Sequence, residues 1–575
     1  MASPNCFHAG ERPRGKSRRP QFGDGLTSCL VAAFLGVAAA PALAQESPEL
    51  PAKAATGLQS EPVFYKGKGP GRGNFYVERF EEDYAYLRDY PGGLGRAADF
   101  FDPLKFIPLT ADGDIYLTLN GEARFRYDNT DHKNFAIATA ATLAATPGTA
   151  PGRTPVFTPA TGVSSNQLYK QRYELGGDLH FGEHLRLYGE LIHGQQTGHN
   201  AGSPIPGNQR DDLGLVNGFG EVYGIVDGAM TGLRAGRQEV FFGNNLQVRA
   251  NVSTNLPSPV FDGFRAYRDW GDLRIDAFLY NVVNFQNGVL EDRDNPHTNL
   301  WGVYGSYDLP KLAIAEGTLK SSVDLFYFGW RSAAFANGRG SAIYDDRAFL
   351  TGARIVAATG AGFVASQDHR ETFGLRYYGG IGGVDYDWQG AWQTGSYAGF
   401  RVDAFAFNTD TGYTFHDLPW KPRIGVHVDA ASGGADTVGR TLHTYQPMYP
   451  NTQYYVPNNE FAPTNFYDVA PRIGVRPSET VTAEYYYSFL WRYSQADAIY
   501  TGAPWPGGNG QNNYAVTVLT PGRTIGRQSD LRITWAITPH LLTLAEFGVF
   551  IPGAAIRAAG GRTTTFLDVN LTFKF

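Results

Sequence analysis

Ten arginines are the residues best suited to do chemistry in this chain: Arg124, Arg126, Arg172, Arg186, Arg237, Arg265, Arg376, Arg423, Arg492 and Arg532. A guanidinium is a planar fork that pairs with a carboxylate at two points and stays charged at any physiological pH. Several such forks along one path hold an anion briefly at each step and then release it. Glu174, Asp178, Asp276 and Asp403 fall among the same polar positions. They are read as acidic partners of the arginines across neighbouring strands. On the competing reading such pairs only brace a wall.

Other chemistry is thinner. Glu291, Asp292 and Asp294, with Asp211 and Asp212, are loop acids that could hold Ca²⁺ through carboxylates and carbonyls. His193 and His199 have no third ligand at useful spacing, so no transition-metal site is expected. Neither a nucleophile motif nor a phosphate-cradling loop appears. Paired carboxylates on a mixed-charge face are no sign of glycosidase chemistry. The chain is therefore read as no enzyme, with no cofactor beyond that loop calcium.

The arginines need elements that send every second side chain to one side, which is the period of a β-strand. In "IYLTLNGEARFRY", Ile115, Leu117, Leu119, Ala123, Phe125 and Tyr127 alternate with Thr118, Asn120, Glu122, Arg124 and Arg126. In the closing "TTTFLDVNLTFKF", Leu567, Val569, Leu571, Phe573 and Phe575 alternate with Asp568, Asn570, Thr572 and Lys574. Eighteen such segments start near 115, 168, 185, 217, 231, 259, 272, 299, 320, 369, 383, 399, 422, 466, 480, 526, 541 and 564. Gly182-Glu183-His184, Asp269 to Asp272, Arg476 to Thr480 and Thr538-Pro539-His540 are tight turns. The links 128–167, 194–216, 331–368, 431–465 and 493–525 are long, and only the link near 395–398 breaks the alternation of short with long. Short turns on one side and long loops on the other are the pattern of an outer-membrane barrel. The fold class is all-β: a transmembrane antiparallel β-barrel of about eighteen strands with an N-terminal periplasmic lead-in, polar face inward.

Composition agrees with that class. The 575 residues carry 14% aromatics, 70 glycines and only 18% charged residues, which favours many strands and turns in one large architecture. Five basic residues, Arg12, Arg14, Lys16, Arg18 and Arg19, precede an apolar stretch from Leu30 to Leu43 that ends in Ala42-Leu43-Ala44. This is the layout of a secretory signal, with cleavage before Gln45. Residues 1–44 are the signal peptide, 45–111 the lead-in and 112–575 the barrel. Cys6 and Cys29 both fall in the segment removed, which suits an oxidising compartment. Beyond the signal no run reaches the roughly 18–20 apolar residues of a spanning helix. A membrane form must therefore be a closed barrel. The formal net charge of −6 becomes about −9 without residues 1–44, which excludes nucleic acid as a partner.

Several stretches together resemble the alginate-export family of outer-membrane proteins. They are "ERFEEDYAYLRD", "LKFIPL", "YLTLNGEARFRYD", "LRAGRQEVFFG" with "FDGFRAY", "RETFGLRYYG", "ASGG", "YQPMYPNTQYY" and "SFLWRYSQADAIY". The resemblance implies an eighteen-stranded barrel whose arginine-lined constriction passes an anionic uronic-acid polymer. The chain departs from the pattern where the family's periplasmic plug would stand, since that link is only Thr538-Pro539-His540. The expected function is a passive channel in the outer membrane of a Gram-negative bacterium, exporting alginate or another uronate-containing polysaccharide. A general or anion-selective porin for small solutes is the alternative. The expected partners are the polymer, outer-membrane lipid and lipopolysaccharide, with periplasmic secretion proteins as a further class.

Overall fold

A strand with one apolar and one polar face is stable only where two different media meet it, and a ring of such strands separates them. In the computed structural model eighteen long strands form that ring. The structure describes residues 78–575 except 83, 89–98, 137–164, 201–208, 245, 249–254, 258, 315–316, 333–367, 398–399, 437–438, 450–460, 462, 496, 498, 501–516 and 519–521. The signal peptide and the first half of the lead-in lie outside the described residues.

The strands are β1 (Ile115–Asp131), β2 (Asn166–Phe181), β3 (Leu185–Asn200), β4 (Asp211–Val226), β5 (Ala229–Gln238) and β6 (Phe261–Asp269). They continue with β7 (Leu273–Asn284), β8 (Arg293–Asp308), β9 (Gly317–Ser332), β10 (Asp368–Ile381), β11 (Val384–Tyr397) and β12 (Phe400–Thr414). The last six are β13 (Arg423–Ala431), β14 (Phe466–Ser478), β15 (Val481–Arg492), β16 (Thr524–Ala536), β17 (Leu541–Pro552) and β18 (Thr564–Lys574). Each pairs antiparallel with its sequence neighbours, and β18 pairs with β1 from Glu122↔Lys574 to Asp131↔Thr565, so no edge is left. At that seam Gly121 and Phe575 exchange two backbone hydrogen bonds of 3.1 Å. A Cβ on Gly121 would lie 2.5 Å from the Phe575 ring, so the terminal aromatic requires a glycine there.

The outer face is apolar along its whole circumference. Phe125, Leu175, Leu187, Phe264, Leu325, Leu375, Phe407, Ile473, Ile533 and Val569 are exposed on it. Aromatics gather toward the strand ends: Tyr307, Trp388, Tyr413 and Trp535 at the short-turn end, and the tilted pair Tyr127–Tyr169 and the stacked pair Tyr467–Trp491 at the long-link end. A soluble protein would not leave such a belt in water, whereas hydrocarbon between two interfaces accommodates it.

The inner face is not uniformly polar. On β7, β8 and β9 it carries Phe278, Tyr280, Leu300, Tyr304, Phe326, Phe328 and Trp330, all buried. The reason is the link 239–260, which is not among the long links that turn residues mark and which folds into the barrel. Its Phe242 packs on Phe278, Tyr304 and Phe328. The link 432–465 meets it there: the Tyr449 amide donates to the Gln247 carbonyl at 2.8 Å, and the Tyr445 hydroxyl donates to Gln247 Oε1 at 2.6 Å. The indole of Trp330 donates to the Tyr449 hydroxyl at 3.0 Å, which ties both links to the wall. Leu375, near the middle of β10 and 49% exposed, tests the outer face. Leu375→Arg should lower the unfolding free energy in lipid vesicles by about 2–4 kcal/mol, the cost of a cation at the bilayer midplane. A loss under about 0.5 kcal/mol would mean that this side chain does not meet lipid.

Candidate functional site

The stretch "ERFEEDYAYLRD" places a cation, an aromatic ring and acids on consecutive residues, and the structure carries it into the barrel. Residues Arg79–Glu81 make one tight turn there. The Arg79 side chain is buried and donates through Nε to Glu190 Oε1 at 2.6 Å and through Nη1 to Glu122 Oε2 at 3.2 Å. Its Nη2 also contacts Glu174. Glu122, Glu174 and Glu190 come from the inner faces of β1, β2 and β3, so one cation serves three carboxylates. Arg172, which contacts Glu122 and lies 3.2 Å from Glu174, shares that task, as does Lys574 at 3.4 Å from Glu122. Removing Arg79 would leave buried acids short of positive charge, which is costly.

Phe80 packs edge-on against Tyr188 and Phe219, with ring centroids 5.6 and 5.2 Å away. The Arg186 Nη1 donates to the Phe80 carbonyl at 2.6 Å, and the Arg234 guanidinium lies over the Phe80 and Phe219 rings at 4.6 and 4.4 Å. Arg234 Nη2 also meets Glu81 at 3.2 Å and Glu221 at 3.1 Å. Burial works against ionising Glu81, yet Arg234, with Arg265, Arg186 and Arg274 around it, holds its carboxyl down at about 2. Glu78 behaves oppositely: burial, then the nearby Glu81 and Glu239, push it up to about 8. At the short-turn end the lead-in turns back to the wall. Lys105 lies over the Tyr84 ring, its carbonyl accepts from Thr118 at 2.7 Å, and Asp99 meets His540 at 2.8 Å.

Most of the expected arginines reach the lumen and find carboxylates there. Arg126 meets Asp128 and Asp568 at 2.5 and 2.8 Å, and Arg265 meets Asp276 at 2.9 Å. Arg186 bridges Asp178 at 3.1 Å and Glu221 at 2.5 Å. Arg376 lies between Asp387 and Asp324 at 2.6 and 3.3 Å, and Arg423 between Asp385 and Asp410 at 2.6 and 2.7 Å. Arg532 meets Glu546 at 2.9 Å. Arg124 donates to the Asn255 carbonyl of the inward link at 3.2 Å, and Arg492 to the Gln495 and Asp497 carbonyls at 3.3 and 3.1 Å.

Two expected residues belong elsewhere. Arg237 shares the outer face of β5 with the exposed Leu233, and it pairs at 2.8 Å with Asp262, which shares the outer face of β6 with the exposed Phe264. Asp403 shares the outer face of β12 with Phe405 and Phe407 and accepts from the Trp392 indole at 3.1 Å, so it is no lumen acid. Arg401, on the same face, lies 3.8 Å from it. Both sit toward the long-link end, where the apolar belt gives way to polar surface.

Of the acids expected in loops, Asp211, which opens β4, and Asp292 each send a buried Oδ2 without a hydrogen-bond donor toward Gly214, that of Asp292 lying 3.9 Å from Arg237 Nη1. Asp212 instead meets Arg210 at 3.5 Å, and Asp294 accepts from Asn281 at 3.2 Å. Two converging carboxylates fall short of the roughly six to eight oxygens that calcium takes. His427, Asp429 and Asp468, on adjacent β13 and β14, bring ligand atoms within 4.8 Å of one another. The spacing of His427 and Asp429 is legible as i, i+2 on one strand face, but Asp468 joins them only through strand pairing. Arg79, Glu81 and Arg234 likewise carry no local mark of function, because the position of the lead-in relative to the barrel is set only by tertiary contacts.

Docking of the lead-in should respond to pH through Glu78. Its carboxyl rises from about 4.5 to about 8 on docking, so its contribution is fully present below about 4.5 and is lost as pH rises through 8. Glu81, lowered to about 2, contributes above about 4.5 and fades only as pH falls toward 2. Between pH 5 and 8 the slope therefore belongs to the raised carboxyls, Glu78 together with Glu82 of the same segment and the facing Glu239. Thiol labelling of a Leu87→Cys variant, taken relative to an exposed cysteine at the same pH, should speed up across that window, and adding Glu78→Gln should lessen the rise. An unchanged slope in the double variant would assign the effect to another group.

Solved barrels from Pseudomonas aeruginosa resemble the chain only distantly. OpdQ matches with 12% identity and a TM-score of 0.45, covering 80% of this chain and 97% of its own. OccK9 (OpdG) matches with 12% identity and a TM-score of 0.47, covering 80% and 98%. The outer membrane protein OpdK matches with 8% identity and a TM-score of 0.44, again covering 80% and 98%. No curated protein shows significant sequence similarity. The alginate export family matches over residues 151–570. That span is more than half of the sequence, and the chain belongs to the alginate export family.

Proposed function

We propose that the protein is a passive channel through which an anionic, uronate-containing polysaccharide leaves across the outer membrane of a Gram-negative bacterium. A polymer with one carboxylate per sugar needs cations around and along its path rather than one tight site. Inward arginines recur around the ring, from Arg124 on β1 through Arg234, Arg274 and Arg376 to Arg532 on β16, and this distribution carries the reading. Membership of the family supports the same cargo class. Each short pair with a wall carboxylate holds its arginine in place and moderates its pull, so a passing carboxylate can exchange in and out.

The pairing of Arg376, Arg423 and Arg532 with acids favours a second reading, a porin for small solutes whose wall charges serve stiffness. Purified protein in a planar bilayer separates the two. The export channel should show an anion-leaning reversal potential and concentration-dependent block by uronate oligomers, with no block by neutral oligosaccharides of equal length. Passage of small anions and neutral sugars alike, without uronate block, would favour the porin.

A further inference from the structure

Inside the lumen Arg234 holds a carboxylate that belongs to the chain itself. Its side chain is buried, yet only Nη2 is engaged, by Glu81 and Glu221. Arg234 Nε and Nη1 are buried without a hydrogen-bond acceptor among the described residues. A guanidinium carries five N–H donors in a fixed fork, and leaving three of them, one on Nε and two on Nη1, without an acceptor is unfavourable. Glu81 cannot engage them from its present position, because the turn around it is held by Arg79 on one side and by Phe80 in its aromatic cage on the other. The Glu81 side chain remains 38% exposed, so it can be reached from the lumen. A carboxylate free of that turn could approach the fork side-on and use the idle donors.

We infer that the turn Arg79–Glu81 is a tethered plug that imitates the cargo, with Glu81 standing at Arg234 where a uronate carboxylate binds during transport. The inference rests on the anionic-cargo reading and adds to it a site, an occupant and a competition. A uronate chain entering from the short-turn end presents many carboxylates in succession. Each rebinding raises the effective concentration against one tethered acid, so the polymer wins the exchange where a lone small anion does not. Arg79 sets the resting bias: three wall glutamates hold it, and Arg172 and Lys574 are the other cations in contact with them when it leaves. On this inference the docked turn opposes ion flow until cargo displaces it.

The test changes the lead-in and leaves the wall untouched. Phe80→Ala combined with Glu81→Gln, in the full chain, should raise the unliganded open fraction in planar bilayers roughly tenfold, as expected for a shifted two-state equilibrium. It should also lower the concentration of uronate oligomer needed for half block, because the competing acid is gone. In the otherwise unaltered channel, labelling of Leu87→Cys from the short-turn side should quicken when uronate oligomers are added, and not with neutral oligosaccharides. If uronate blocks the channel while the lead-in variant conducts like the parent and labelling ignores uronate, the cargo reading stands and the plug is overturned. If uronate blocks neither channel, the cargo reading fails and the imitation fails with it. Heat-modifiable mobility of the variant barrel, equal to the parent's, excludes a folding defect as the cause of either result.

Discussion

Hydrocarbon offers no partner to a peptide N–H or C=O, and this one constraint governs the rest of the structure. Every strand must pair on both sides, so the sheet closes, and it closes where the last strand meets the first. The seam gathers unusual interactions for that reason. Phe575 packs on Phe101 with ring centroids 5.2 Å apart, its backbone completes the ladder to Gly121, and His540 ties Asp99 of the lead-in to the rim beside it. The residues that return the lead-in to the wall are therefore the ones that finish the barrel.

Closure also fixes the electrostatics. Charges on the inner face are confined with one another, so most inward arginines are drawn into networks with acids on adjacent strands, as Arg423, Arg472 and His427 are around Asp410. Such networks make the wall stiff and leave few cations wholly uncommitted. Arg234, with two idle nitrogens beside an exposed acid from another segment, departs from this economy of charge.

Two sectors of the lumen wall receive folded-in segments. Strands β1 to β6 line a charged side that receives the turn Arg79–Glu81, while β7 to β9 line an aromatic side that receives the link 239–260 and, through it, the link 432–465. The rings of β7 to β9 are buried beneath Phe242, so on this side the wall is packed by the chain's own links.

The chain's own alternation determined the strands, their number, the side of the short turns and, for most positions, which face is polar. Those features are local: a period of two and a turn of two to four residues are written within a dozen neighbours. Where side chains are missing the face becomes illegible, as in "GLRAGRQ", whose Gly232 and Gly236 blank alternate positions so that Arg237 passes for an inward residue in place of Arg234. On β12 both faces are apolar, because the inward Val402 pairs with Leu442 of a folded-in link, and the alternation that would have placed Asp403 outside is lost. Tertiary structure alone decided what enters the barrel. The docking of Arg79 joins residues more than forty positions away on three strands, and that of Phe242 joins three further strands. Such contacts depend on a register and a closure that exist only once all eighteen strands have paired, so no stretch of sequence can carry them by itself.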